Sequence, residues 1–140
     1  MTRPPHLTFL AELAKARVDY VVIGLMGLNH YAATAGDVFH TEDVDVLISP
    51  QPSHLRRACA ALAKAGYALQ SNGEPVVGVD ALLARRILEH RAVVRGSHPH
   101  GLRVDLVLEA RPFSYAQWKK GRREFRADRV RIKCAGKEMI

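Results

Sequence analysis

The stretch Glu42-Asp43-Val44-Asp45-Val46-Leu47-Ile48 holds the residues best placed to do chemistry. Side chains alternate across a strand, so Val44, Val46 and Ile48 share one face while Asp43 and Asp45 share the other. The apolar face puts such a strand in a core and leaves two carboxylates side by side, which is costly unless water or a cation neutralises them. Hard oxygen ligands at i and i+2 suit Mg²⁺, which takes carboxylate and phosphate oxygens and keeps several waters. A second segment, Leu102-Arg103-Val104-Asp105-Leu106-Val107-Leu108, repeats the pattern, with Leu102, Val104, Leu106 and Leu108 on the apolar face and Asp105 pointing the other way. If the two strands are neighbours, three carboxylates converge on one surface. That suffices for a pair of metal ions about 3.5–4 Å apart, the arrangement used for in-line phosphoryl displacement. The plainer account is a solvated edge, since Asp-x-Asp on a half-exposed strand is common.

What favours the first account is the segment upstream. Tyr20-Val21-Val22-Ile23-Gly24-Leu25-Met26-Gly27-Leu28-Asn29-His30 runs strand, glycine turn, helix. A helix N-terminus offers free N–H groups and partial positive charge to a phosphate, and glycine lets the backbone come close. Glycine ends many strands, so this feature alone is weak. Followed by an acid pair on the next strand, it becomes a phosphate cradle facing a metal site.

The elements needed to hold these residues are legible in outline. After Pro4-Pro5, Phe9, Leu10 and Leu13 fall at helical spacing within residues 7–17. Residues 18–23 are a β-branched run, apolar on both faces like a central strand. Residues 25–35 read as a helix, and a polar loop with Gly36 and Asp37 leads to the strand 43–48. Pro52 suits the first turn of a helix carrying Leu55, Cys59 and Leu62, with Gly66 as its stop. A short strand is expected at 67–69, and Asp80 is placed to cap a helix with Leu83 and Ile87 on one side. Residues 92–95 and 102–108 flank Ser97-His98-Pro99-His100-Gly101 as a hairpin. Residues 113–119 read as a short helix and 130–134 as a last strand. The expected fold is α/β or α+β, a mixed β-sheet flanked by helices.

Composition bounds the rest. A chain of 140 residues, 48% hydrophobic and 25% charged, fits one globular domain with a real core. No apolar run approaches the roughly 20 residues that span a bilayer, and the N-terminus lacks a signal-peptide apolar region, so the expectation is a cytoplasmic protein without a membrane partner. Cys59 and Cys134 offer neither a disulfide framework nor a CxxC pair, which points to buried thiols in a reducing compartment. The net charge of +7 is uneven: residues 111–137 hold ten Lys/Arg against Glu124 and Asp128, and the remainder is nearly neutral. Such a segment favours nucleic acid or nucleotide phosphates, or is simply a solvated face.

On these motifs the chain resembles the nucleotidyltransferase superfamily of the DNA polymerase β type, in the branch of minimal bacterial nucleotidyltransferases and abortive-infection toxin-like proteins. The family pattern has a strand ending in Gly-Gly or Gly-Ser, a helix, a Thr-x-Asp-x-Asp strand and a later strand with a single Asp. Val22-Ile23-Gly24, Thr41-Glu42-Asp43-Val44-Asp45 and Val104-Asp105-Leu106 match it over residues 18–108. The resemblance implies that Asp43 and Asp45 bind both metal and nucleoside triphosphate, and that Asp105 completes a second metal site and helps activate the acceptor hydroxyl. It also implies nucleotide contacts from Gly24, Leu25, Gly27 and Thr41, with Mg²⁺ or Mn²⁺ as cofactor. Two departures stand out. Leu25 replaces the second Gly or Ser of the glycine motif, and Gly27 substitutes for it only if the turn is displaced. The chain also stops near Gly136-Lys137-Glu138-Met139-Ile140, where the family continues into helices.

The leading expectation is therefore an enzyme moving a nucleoside monophosphate from an NTP to an acceptor hydroxyl on RNA, a protein or a small molecule such as an aminoglycoside. The alternatives are a catalytically weak nucleotide- or nucleic-acid-binding module, and one component of a toxin–antitoxin assembly completed by a partner protein or a second copy. Other residues carry less. His98 and His100 suit an exposed turn, having no further ligand at metal spacing. His30 and Tyr31 suit core packing. Tyr115 and Trp118 lie beside Lys119 and Lys120, where aromatics either stack on bases or simply pack. Arg85 and Arg86 suit a solvated helix face.

Overall fold

The computed structural model describes residues 3–24, 31 and 42–139. The helix expected at 25–35 and the loop after it lie outside the described residues, and with them Leu25, Gly27, His30 and Thr41.

Three helices build one layer. Helix α1 (Pro5–Lys15) begins on a proline and buries Leu7, Phe9, Leu10 and Leu13. Proline is tolerated there because the first-turn N–H would lack an intrahelical acceptor anyway. Helix α2 (Pro52–Lys64) uses the same start and buries Leu55, Ala58, Cys59, Ala61 and Leu62. It stops at Gly66, whose φ of +93° disfavours any side chain and whose added Cβ would lie 3.1 Å from His98 Nε2. Helix α3 (Ala81–Glu89) is capped by Asp80, whose carboxylate accepts the Leu83 N–H at 2.8 Å, and it buries Ala84, Ile87 and Leu88.

The strands are β1 (Tyr20–Ile23), β2 (Asp43–Ile48), β3 (Ala68–Ser71), β4 (Glu74–Val76), β5 (Val94–Ser97), β6 (Arg103–Val107), β7 (Arg123–Ala127) and β8 (Val130–Cys134). They form a mixed sheet in the order β4-β3-β5-β6-β2-β1-β8-β7. Strand β2 sits near the middle, antiparallel to β1 and parallel to β6. Two hairpin strands are additions to the sequence reading: β4, which contains Pro75, and β7 with its charged, half-exposed pattern. Both lie at sheet edges, where alternation is blurred and proline is tolerated.

The two sheet faces are unlike. Val22, Val44, Val46, Ile48, Val94, Val104, Leu106 and Ile132 join α1, α2 and α3 in the main core. Burying each such aliphatic side chain contributes about 1.5–3 kcal/mol, so a one-residue slip of β2 would exchange these valines for aspartates and is excluded. The opposite face has a smaller core of Val21, Leu47, Trp118 and Ala135. It lies under helix α4 (Tyr115–Lys120), which starts with a reciprocal cap between Ser114 and Gln117. That small core covers only part of its face, and the carboxylates stand beyond it.

Candidate functional site

Parallel pairing of β2 with β6 sets Asp43 opposite Arg103 and Asp45 opposite Asp105. Neighbouring strands lie about 4.8 Å apart, so Asp45 and Asp105 stand shoulder to shoulder on the face away from the main core. Antiparallel pairing with β1 puts Ile23 opposite Asp45. The next residue, Gly24, has φ +73°, and a Cβ on it would fall 2.8 Å from Asp45 Oδ2. Glycine at this point therefore lets the backbone approach a carboxylate.

Two arginines belong to the same surface. Arg95 of β5 is directly opposite Asp105 and grips it with a fork, Nε to Oδ1 at 2.8 Å and Nη2 to Oδ2 at 3.1 Å. Arg103 donates from Nε to Asp43 Oδ1 at 2.8 Å and turns Nη2 towards Glu42 at 3.5 Å. Asp105 faces away from the main core as expected, yet the residue is only 8% exposed. Asp45 is half-buried and forms no ion pair among the described residues. Burial, then the neighbouring Asp105 and Asp43 charges, push its carboxyl above the usual aspartate range, with Arg95 opposing. The sequence reading passed over both arginines. Strand alternation carried the signal, since Arg103 lies two residues before Asp105 and must share its face.

The donor chemistry fits a hard divalent ion: three carboxylates, one of them without an ion pair among the described residues, beside a backbone kept bare by Gly24. As the side chains stand, no group of three or more His, Cys, Asp or Glu among the described residues is placed to hold a metal. Asp105 and Asp43 are instead turned onto guanidinium groups. An ion would reach Asp105 and Asp43 only in place of these guanidinium groups.

Elsewhere the polar features serve packing. His98 stacks edge-on with Tyr67 at 5.3 Å and with His100 at 6.1 Å. The Tyr31 hydroxyl donates to the Ala135 carbonyl at 2.7 Å, and its ring meets Phe125 edge-on. Trp118 is buried and donates Nε1–H to the Ala110 carbonyl at 2.8 Å, which removes it as a base-stacking platform. Arg85 and Arg86 are exposed, and Cys59 and Cys134 are buried free thiols. No described helix is long and apolar enough to cross a membrane.

The basic segment divides into two parts. Asp19, just before β1, collects Lys119 at 3.2 Å, Arg122 at 2.7 Å and Lys133 at 2.9 Å. Burial pushes its carboxyl up, but hydrogen bonds from Arg122, Lys133 and Lys119 outweigh that and hold it far below the usual range. These three cations tie α4 and β8 to β1. By contrast Arg126 and Arg131 are exposed and directly opposite each other in the β7–β8 hairpin, with no ion pair among the described residues.

In comparisons with known proteins, no family model, no curated protein and no solved structure matches the chain.

Proposed function

We propose that this chain is a nucleotidyltransferase of the DNA polymerase β type that moves a nucleoside monophosphate from an NTP to an acceptor hydroxyl. The observation that carries the reading is the register of β2 against β6, which sets Asp45 beside Asp105 with Asp43 one pleat away. A protein that merely binds phosphate gains nothing from clustered carboxylates, because they repel it. Asp43 and Asp45 would hold Mg²⁺ or Mn²⁺ together with the triphosphate, and Asp105 would serve the acceptor side. The cation would supply charge neutralisation on the phosphates and ease ionisation of the acceptor hydroxyl. Asp105 orients that hydroxyl and draws off its proton; the acceptor oxygen bonds to the α-phosphorus, and the bond to the β-phosphate breaks to release pyrophosphate. The remaining work is positioning and electrostatics on a rigid sheet, as phosphoryl transfer generally requires.

RNA is the acceptor favoured by a specific feature. Like charges directly opposite in a hairpin are destabilising, so the exposed Arg126–Arg131 pair suits a polyanion. These residues lie on the carboxylate face, offset from Asp45 by roughly 13 Å along the strand direction and by two to three strands, about 10–14 Å, across the sheet. Incubation with NTPs labelled at the α-phosphate and an RNA pool should transfer label to RNA in the presence of Mg²⁺. Label appearing equally in an Asp43→Asn, Asp45→Asn double variant would sink the proposal.

A further inference from the structure

We infer that Arg95 is a displaceable counter-ion, which occupies Asp105 until nucleotide arrives and then carries its guanidinium to a phosphate of that nucleotide. The inference rests on the nucleotidyltransferase reading of the site. Its geometry is a two-pronged grip at 2.8 and 3.1 Å that engages both oxygens of Asp105. Any other cation must therefore compete with Arg95 for that carboxylate. The Arg95 side chain is 39% exposed and that of Asp105 only 12%, so the arginine can leave without disturbing the core. The Arg103 contact differs, since its fork is divided between Asp43 and Glu42.

Charge balance gives the direction of exchange. Asp43, Asp45, Asp105 and Glu42 face only Arg95 and Arg103, so the ligand-free surface carries a net charge near −2 and the two guanidinium groups ease the crowding of its carboxylates. A divalent ion on the carboxylates makes the guanidinium redundant there. The arriving triphosphate offers pairs of anionic oxygens that the guanidinium fork can engage as it engages those of a carboxylate. Arg95 is thus a ligand-binding and positioning residue whose partner changes with the state of the site. Two effects of opposite sign follow: Arg95 hinders metal binding when metal is alone and assists it when nucleotide is present. A purely structural ion pair would shift both the same way.

Mn²⁺ binding to the full chain, alone and with each NTP, measured by calorimetry and by the electron paramagnetic signal of free Mn²⁺, tests this in Arg95→Met and Arg95→Lys. Arg95→Met should bind Mn²⁺ alone about tenfold more tightly and the Mn²⁺–NTP pair about tenfold more weakly, the low end for a charge-assisted hydrogen bond. Arg95→Lys, which keeps the charge and loses the fork, should fall between on both measures. Equal affinities, or two shifts of the same sign, overturn the inference. Near-ultraviolet circular dichroism checks the fold, and if Arg95→Met fails it, the two opposed shifts must appear in Arg95→Lys. Asp45→Asn separates the failures: Mn²⁺ binding unchanged there removes the site itself, whereas binding lost there with Arg95→Met like wild type removes only the role of Arg95.

Discussion

Asp45→Asn should make the ligand-free protein slightly more stable while destroying the proposed metal site. Asp45 stands in direct register with Asp105, is half-buried, and forms no ion pair among the described residues. Opposed like charges in a sheet cost about 0.2–1 kcal/mol per pair. Arg95 on Asp105 and Arg103 on Asp43 reduce the repulsion, while burial of the Asp45 carboxylate adds to the cost. A gain of about 0.5–1 kcal/mol for the neutral, nearly isosteric amide corresponds to roughly 2–4 °C in Tm for a chain of this size. The dependence on pH has a definite sign. A carboxyl raised in the folded state binds more protons folded than unfolded, so its ionisation penalty is absent below the usual aspartate value of 3.8 and grows as pH rises through the folded value. Urea denaturation of wild type and variant at pH 7 and pH 3 should therefore show the gain at pH 7 and none at pH 3. A loss of 1 kcal/mol or more at pH 7, or an equal gain at both, would refute the picture of an uncompensated carboxylate.

Asp105→Asn should cost about 1–2 kcal/mol, since it weakens a charge-assisted fork whose cation end is solvent-exposed, and a melt should show a folded protein with lowered Tm. In the same variant nucleotide transfer should vanish while much of the NTP affinity remains; wild-type turnover would remove Asp105 from the site. Asp19→Asn should destabilise by roughly 1–2 kcal/mol at neutral pH by leaving three cations unmatched. Because the Asp19 carboxyl is held low, its contribution is complete above the usual aspartate range and is lost only as pH falls below it, so the variant should still be the less stable at pH 4. RNA binding, if it uses four of the exposed cations within residues 111–137, Arg126 and Arg131 among them, should show a log–log salt slope near −3, about −0.7 for each of four contacts. Replacing Arg126 and Arg131 should remove about two contacts' worth of slope and leave Mg²⁺–NTP binding intact.

Alternation in two short strands made most of the site legible from the sequence. Val44, Val46 and Ile48 had to face a core, so Asp43 and Asp45 had to face away, and the same logic applied to Asp105. The starts of α2 and α3 were equally plain, because Pro52 and Asp80 act locally. Neighbourhood was not legible. That β6 lies parallel beside β2 is a long-range fact of sheet order, whereas Arg95 reaches Asp105 through the β5–β6 hairpin, whose register the turn residues alone did not fix. Asp19 was overlooked for the same reason, since its partners lie at least a hundred residues away. Edge strand β4 holds only Val76 beside Glu74 and Pro75, and β7 offers only Phe125 and Ala127 among charged residues, so β7 is instead read from its pairing with β8.

The central claim is that three carboxylates form a metal-dependent nucleotide site, and calorimetric titration of each NTP into the protein with Mg²⁺ or with EDTA tests it most directly. The account predicts that at least one NTP binds with Mg²⁺ present, that binding is lost in EDTA, and that Asp45→Asn abolishes it while remaining folded. Binding of equal strength in EDTA, or unchanged in Asp45→Asn, would contradict it.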